Sequence, residues 1–393
     1  MKQVNLGFIG AGSFISRIHL PTAAQCEFIR IRAISDLDPE RLRAHAENFA
    51  PDYTTDDYKK ILQDPEIKLV VVGTRQDTHA KLIVESLDAG KWVWCEKPMC
   101  ETPEEEAAVI AAEKRAPGRL AIGFNRRFAP AITKTVEILR KLPRPWIINY
   151  RLQSKGGYKA KKGDTFYVDR PHVIYEGCHL LDLSKFIMGS APERVFMSGT
   201  KDENDIAILE YPDGSRFLLT ITSHAGALFL EKEMMEIFTS EGALAMRDFI
   251  ELKVRDIPGE KDYLFAPRQT AYGPLVKRWG YDCWELLHSE ILTPDVKDNP
   301  ALAQITPAFK EIPYAADIAK ICEETQDLHW EARNLLGNKG WGEAFRHFAR
   351  ACLEGTEPLT ADGKAGKFAN DLGFTLLESK KRGIPLPFKE QEL

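Results

Sequence analysis

Seven cysteines, Cys26, Cys95, Cys100, Cys178, Cys283, Cys322 and Cys352, make an odd count and contain no CxxC pair. Such spacing indicates neither a disulfide framework nor a zinc site. An excess of basic charge is missing too: 53 Lys and Arg stand against 58 Asp and Glu, a formal net charge of -5. This leaves no cationic footprint for nucleic acid and no electrostatic pull toward a membrane surface. No apolar run approaches a membrane span. The opening MKQVNLGFIGAG runs into glycines before it can form a secretory h-region. Repeats and low-complexity tracts are also missing. Together these absences point to a reducing, cytoplasmic setting. What is present is a chain of 393 residues, 44% hydrophobic and 28% charged, enough for two ordinary domains with their own cores.

Short apolar runs alternate with helical patterns over residues 1–123. Val4–Ile9, Phe28–Ile34, Leu69–Val72, Val93–Cys95 and Leu120–Gly123 read as strands. Phe14–Ala24, Pro39–Phe49, His79–Ala89 and a segment starting at Pro103, capped by Thr102, read as helices. That alternation predicts an α/β domain with a doubly wound parallel sheet. The pattern changes after about residue 145. Ala207–Tyr211 and Phe217–Thr222 flank a Pro-Asp-Gly-Ser turn, and Met234–Phe238, Leu244–Met246 and Ile250–Val254 continue as short strands. With a helix over Glu176–Met188, this half predicts an α+β domain on a largely antiparallel sheet. Residues 258–340 carry Trp279, Trp284 and Trp330, with Trp341 next, among many turn residues, and read as an irregular insertion. Gly342–Leu353 and Lys367–Lys381 are closing helices. The expected division is 1–123 for a cofactor and 124–393 for substrate and subunit contacts.

GFIGAGSFI follows the first strand and opens the first helix. Gly10 and Gly12 would let the backbone approach a pyrophosphate, although Ile15 stands where the common fingerprint has its third glycine. Gly10, Gly12, Ser13, Phe14 and Ile15 are the loop candidates; a tight strand-to-helix turn is the plain alternative. The second strand runs into Asp36, 24 residues after Gly12. An acid there accepts hydrogen bonds from ribose hydroxyls and repels a 2′-phosphate, favouring NAD over NADP. Asp38, next to Pro39, suits the helix cap and leaves Asp36 for the ribose. Thr74 and Arg75 lie at the carboxyl end of the third strand, where a cofactor groove would run. His79 shares that end but equally suits a structural role at a helix start. The fourth strand ends in Glu96, Lys97 and Pro98, so a lysine costly to bury stands at the mouth of the sheet, its backbone restricted by the proline. A partly desolvated lysine has a lowered pKa, useful for proton transfer.

These segments together, GFIGAG, Asp36, GTRQDTHA and CEKP, resemble the glucose–fructose oxidoreductase/inositol dehydrogenase/MocA family. GFNRRFAP at 123–130, EGCHLLDL at 176–183 and the stretch from NKGWGEAF to TADGKAG are also similar to it. The resemblance implies a Rossmann domain binding NAD, catalysis by Lys97 with Glu96 shaping the site, and His179 as a second catalytic group. It further implies a cleft-facing arginine after Asn125, here read as Arg127. Glu176, His179 and Asp182 are three residues apart and would share one helix face. A satisfied buried histidine beside solvated acids is the competing reading. Many relatives place an aspartate four residues before the histidine; this chain has Tyr175 there and Glu176 one position later. Tyr158, in the loop KGGYKAKKG, is a candidate substrate contact.

The expected function is NAD-dependent oxidation of a secondary hydroxyl in a sugar, sugar acid, cyclitol or glycoside, with Lys97, Arg127, Tyr158, Glu176, His179 and Asp182 around the substrate. No metal is expected. Two alternatives remain open: redox-neutral glycoside cleavage by transient oxidation and elimination, and a non-catalytic NAD-binding sensor. The clustered tryptophans and the resemblance lead to the expectation of a homo-oligomer.

Overall fold

The computed structural model describes residues 2–153, 171–200, 204–222, 231–265 and 337–390. Strands β1 (Val4–Ile9), β2 (Ile29–Ser35), β3 (Tyr53–Thr55), β4 (Leu69–Val72), β5 (Trp92–Cys95) and β6 (Leu120–Ile122) form a parallel sheet in the order β3-β2-β1-β4-β5-β6. Helices α1 (Ser13–Arg17), α2 (His19–Ala24), α3 (Pro39–Phe49), α4 (Lys59–Gln63), α5 (His79–Asp88) and α6 (Pro103–Arg115) lie between the strands in sequence. Every residue of β4 is buried, which is why it reads as an unbroken apolar run. Asp38 caps α3 by accepting from the backbone N–H of Glu40 and Arg41, and Thr102 forms a reciprocal capping box with Glu105. The helix expected over Phe14–Ala24 is in two pieces, broken at Ile18. The β3 strand, three residues long, is too short to show periodicity.

After α7 (Pro130–Leu139) the chain builds a second sheet from β7 (Ile147–Gln153), β8 (Arg194–Gly199), β9 (Asp205–Glu210), β10 (Arg216–Thr222), β11 (Glu233–Phe238), β12 (Ala243–Arg247), β13 (Glu251–Arg255), β14 (Tyr263–Leu264) and β15 (Leu386–Pro387). Its order is β14-β13-β12-β11-β7-β10-β9-β8-β15; β7 and β10 pair in parallel and the other neighbours are antiparallel. The expected hairpin is β9–β10. Alternation is clean: Ile148, Tyr150 and Leu152 of β7 and Phe217, Leu219 and Ile221 of β10 are buried. Helices α8 (His172–Tyr175) and α9 (Cys178–Met188) follow β7 in sequence, and α10 (Trp341–Glu354) and α11 (Gly363–Arg382) precede β15. The α11 helix packs on α9 and β8. The α10 helix returns to the first sheet, where Phe345 and Phe348 meet Trp94. Each such buried ring contributes about 2–3 kcal/mol through area removed from water.

The helix expected from Glu176 begins instead at Cys178. Glu176 and Gly177 form the turn between α8 and α9, and only glycine fits at 177, since a Cβ there would lie 2.5 Å from the Val173 carbonyl oxygen. Trp341 is buried at the start of α10, edge-on to Phe14. Trp279, Trp284, Trp330, Tyr158 and its loop, and residues 266–336 of the insertion expected over 258–340 fall outside the described residues. No helix among the described residues is long and apolar enough to cross a membrane.

Candidate active site

The strand order reverses between β1 and β4, and open α/β sheets bind ligands at the carboxyl ends of such strands. Gly10, with φ +82°, sits directly after β1; a Cβ there would be 2.7–2.9 Å from Thr74 and Gly73. Gly12 precedes α1, and a Cβ on it would meet nothing within 4 Å, so the space above the loop is open. Ile15 is buried over Gly73, whose missing side chain makes room for it. That packing explains how an isoleucine takes the third glycine's place. Ser13 is exposed and Phe14 half-buried. Asp36 Oδ2 accepts the Ala11 N–H at 2.8 Å, while Oδ1 accepts from the Asp38 N–H and from Arg41 Nη1 at 2.9 Å. Oδ2 therefore has a lone pair left for a further donor. Beside it a groove of about 400 Å³ is lined by Leu37, Leu42, Thr54 and Lys60 among others, with Leu37 88% exposed. Open backbone at Gly12, a spare acceptor at Asp36 and an exposed apolar side chain next to it suit a dinucleotide.

Across the switch point, Thr74 hydrogen-bonds Thr78 and Arg75 is exposed. His79 is buried, with Nδ1 2.8 Å from the Pro98 carbonyl and Nε2 3.2 Å from that of Thr74, so it ties the loop after β4 to the loop after β5. Burial pushes its pKa down. Glu96 Oε1 accepts from His19 Nε2 at 2.7 Å and Trp94 Nε1 at 3.2 Å. Its carboxylate lies over Gly123, where a Cβ would come within 3.0 Å of both oxygens. Burial works against the Glu96 charge, but His19, Trp94 and Lys97 outweigh it and lower its pKa. The Lys97–Pro98 peptide is cis.

Lys97 points toward the turn between α8 and α9. Its Nζ donates to the Tyr175 carbonyl at 2.7 Å and lies 3.3 Å from Glu176 Oε1. Burial alone would raise the Glu176 pKa; Lys97, Lys232, Arg126 and His172 reverse this and hold it at about 2. His179 opens the first turn of α9, buried, with Nδ1 lacking a partner and its ring edge-on to Phe124. Burial, then Arg126, Lys97, Lys339 and Lys232, keep its pKa well below the usual histidine value, so the imidazole is neutral. Asp182 is gripped by Arg127 through two hydrogen bonds, one from Nε at 2.9 Å and one from Nη2. Those two residues meet each other within the protein.

Behind His179 lies a buried charged network. Arg126 donates to both Glu233 oxygens at 2.8 and 2.7 Å, Tyr150 donates to one, and Lys339 pairs with the other. Removing one partner from such a network strands a buried charge at a cost of about 3–5 kcal/mol. The charge of Arg126 bears on both Glu176 and His179, whereas Arg127 is occupied with Asp182. Lys232 is pushed down to about 8 by burial and by Lys339, against the support of Glu176. His172 is buried with neither ring nitrogen partnered. Among the described residues no group of His, Cys, Asp or Glu is arranged to hold a metal ion.

Residues 4–124 match a family model described as the oxidoreductase family with an NAD-binding Rossmann fold. That part of the chain is the NAD-binding Rossmann domain of the Gfo/Idh/MocA oxidoreductase family. It is 27% identical over 268 residues to the uncharacterized oxidoreductase YrbE of Bacillus subtilis, covering 62% of this chain and 74% of that one. It is 27% identical over 252 residues to myo-inositol 2-dehydrogenase of Thermotoga maritima, covering 61% and 74%. A levoglucosan dehydrogenase in complex with NADH and levoglucosan superposes with a TM-score of 0.71 at 17% identity, covering 99% of this chain and all of that one.

Sequence reasoning did not single out His19, Lys232, Glu233, Lys339 or His172. A histidine nine residues after Gly10 carried a weak local signal, since it opens the helix piece behind the glycine loop. Glu233 gave one as well: it shares the buried face of its strand with Met235 and Ile237, and an acid there needs a cation.

Proposed function

We propose that this family member is an NAD-dependent dehydrogenase that oxidises a secondary hydroxyl of a sugar, sugar acid, cyclitol or glycoside, with Lys97 and His179 handling the proton. The observation that carries the reading is the reach of Lys97 from the end of β5 to the turn that leads into the helix of His179. Relatives named as inositol and levoglucosan dehydrogenases support the substrate class.

NAD, bound across the β1/β4 switch point, would take the hydride. Gly10, Gly12, Ser13, Phe14 and Ile15 would carry its pyrophosphate, Asp36 its ribose, and Leu37 its adenine, with Thr74, Arg75, His79 and Glu96 along the groove. The chain's own groups then account for the proton. Neutral His179 is able to accept it from the hydroxyl, and the Lys97 ammonium offers charge to the oxygen as the proton leaves. Ionised Glu176 keeps that ammonium in the cleft. As hydride and proton depart the carbon becomes a carbonyl, and His179, disfavoured as a cation, passes the proton to solvent. The test is a panel of sugars, sugar acids, cyclitols and glycosides incubated with NAD and followed by NADH absorbance and product analysis. NADH in step with ketone supports the dehydrogenase; release of aglycone without NADH would replace it with redox-neutral cleavage.

A further inference from the structure

We propose that Tyr175 is a positioning residue, a two-ended clamp that holds the β5–α6 loop against the helix of His179 and so aims Lys97. This rests on the reading of Lys97 as the proton-handling lysine. One end of the clamp is main chain. The Tyr175 carbonyl is the last of α8, and it accepts Lys97 Nζ at 2.7 Å and the Cys178 thiol at 3.7 Å. The other end is side chain: the Tyr175 hydroxyl donates to Glu101 Oε1 at 2.6 Å. Lys97 and Glu101 bound one short loop, Lys97-Pro98-Met99-Cys100-Glu101, so a single residue grips both of its ends.

The rest of that loop is held from other directions. His79 bonds the Pro98 carbonyl, Asn370 donates to Cys100 Sγ, and Gly366 leaves room for Met99, whose sulfur would lie 2.5 Å from a Cβ there. His79 belongs to the first domain and the other two to α11; Tyr175 makes the tie to the turn that leads into α9. It is buried, at 7% exposure, so the hydroxyl bond is shielded from water. An aspartate at this position would be too short for the same reach and would carry the same charge as Glu101. The tyrosine and Glu101 therefore belong together, while Glu176 supplies the carboxylate beside Lys97. Catalysis is sensitive to displacements of about an ångström between reacting groups, so loosening the clamp acts on the chemical step more than on cofactor binding.

Three variants separate the clamp from general stability. Tyr175→Phe keeps the ring and removes the hydroxyl, Glu101→Leu removes the acceptor, and Glu101→Gln keeps an acceptor oxygen. The first readout needs no substrate: acetic anhydride competes for Lys97 at pH 8 and peptide mass spectrometry measures the rate. A loosened ammonium loses the carbonyl that favours its charged form, so Lys97 should label about threefold faster in Tyr175→Phe and Glu101→Leu. Glu101→Gln should label as wild type. The second readout is turnover on the best substrate of the panel. Tyr175→Phe and Glu101→Leu should each lose about tenfold in kcat with unchanged NAD affinity, and the double variant should be no worse than either. Wild-type labelling in both disruptive variants, or losses that multiply in the double variant, would overturn the clamp. If wild-type protein oxidises nothing in the panel, the dehydrogenase reading fails, and the labelling still decides the role of Tyr175.

Discussion

Glu176→Gln removes one negative charge while keeping the shape of the side chain. Its carboxylate lies 3.3 Å from Lys97 Nζ, and both side chains are mostly buried, at 17% and 13% exposure. Burial opposes the charge, yet Lys97, Lys232, Arg126 and His172 carry its pKa from an ordinary 4.5 to about 2. A shift of that size corresponds to roughly 3 kcal/mol of preference for the ionised form. The folded pKa lies below the unfolded one, so the contribution is present in full above about 4.5 and disappears as the pH falls toward 2. The variant should accordingly be less stable than wild type by about 2–3 kcal/mol at pH 7. The gap should stay level from pH 8 to 5 and shrink steadily below that. Urea unfolding at a series of pH values, with the denaturant slope unchanged, measures it. A gap that does not vary between pH 7 and 3, or no gap at pH 7, would refute the pairing. The loss should also reach Lys232, already pushed down to about 8 and supported by Glu176, whose titration by NMR should move lower still.

Lys97→Ala and His179→Ala should each lower turnover by roughly a hundredfold while NAD binding, followed by fluorescence, stays within a factor of about two; near-normal turnover would remove that residue from the proton path. NAD should bind at least tenfold more tightly than NADP, about 1.4 kcal/mol, because Asp36 would repel the 2′-phosphate. In Asp36→Ala the preference should collapse, since the repelling carboxylate is gone and Arg41, left with Asp38 alone at 3.4 Å, has donors to spare for that phosphate. The outer face of the second sheet exposes Ile147, Ile206 and Phe238 at 49%, 55% and 46%, and light scattering should report a homo-oligomer; a lone 44.4 kDa species would contradict this.

What was legible in the sequence was local. Asp38 and Pro39 adjoin, and Thr102 and Glu105 are three apart, so both caps could be read from spacing. Lys97 stood out because it ends an apolar strand. The partners that decide the chemistry are remote: 77 residues separate His19 from Glu96, 107 separate Arg126 from Glu233, and 106 separate Glu233 from Lys339. No periodicity encodes such pairings, because each depends on how two sheets and a returning helix are stacked. Glu176 and Asp182 make the point within one short segment. Spacing presents them as equivalent acids on either side of His179. In the fold, burial raises the Asp182 pKa despite Arg127, 55 residues earlier in the chain, whereas Lys97 and its neighbours drive Glu176 down to about 2. Two carboxylates six positions apart in the chain shift in opposite directions because the tertiary structure delivers different cations to each. The division of labour around His179 is therefore a property of the domain junction rather than of the helix that carries it.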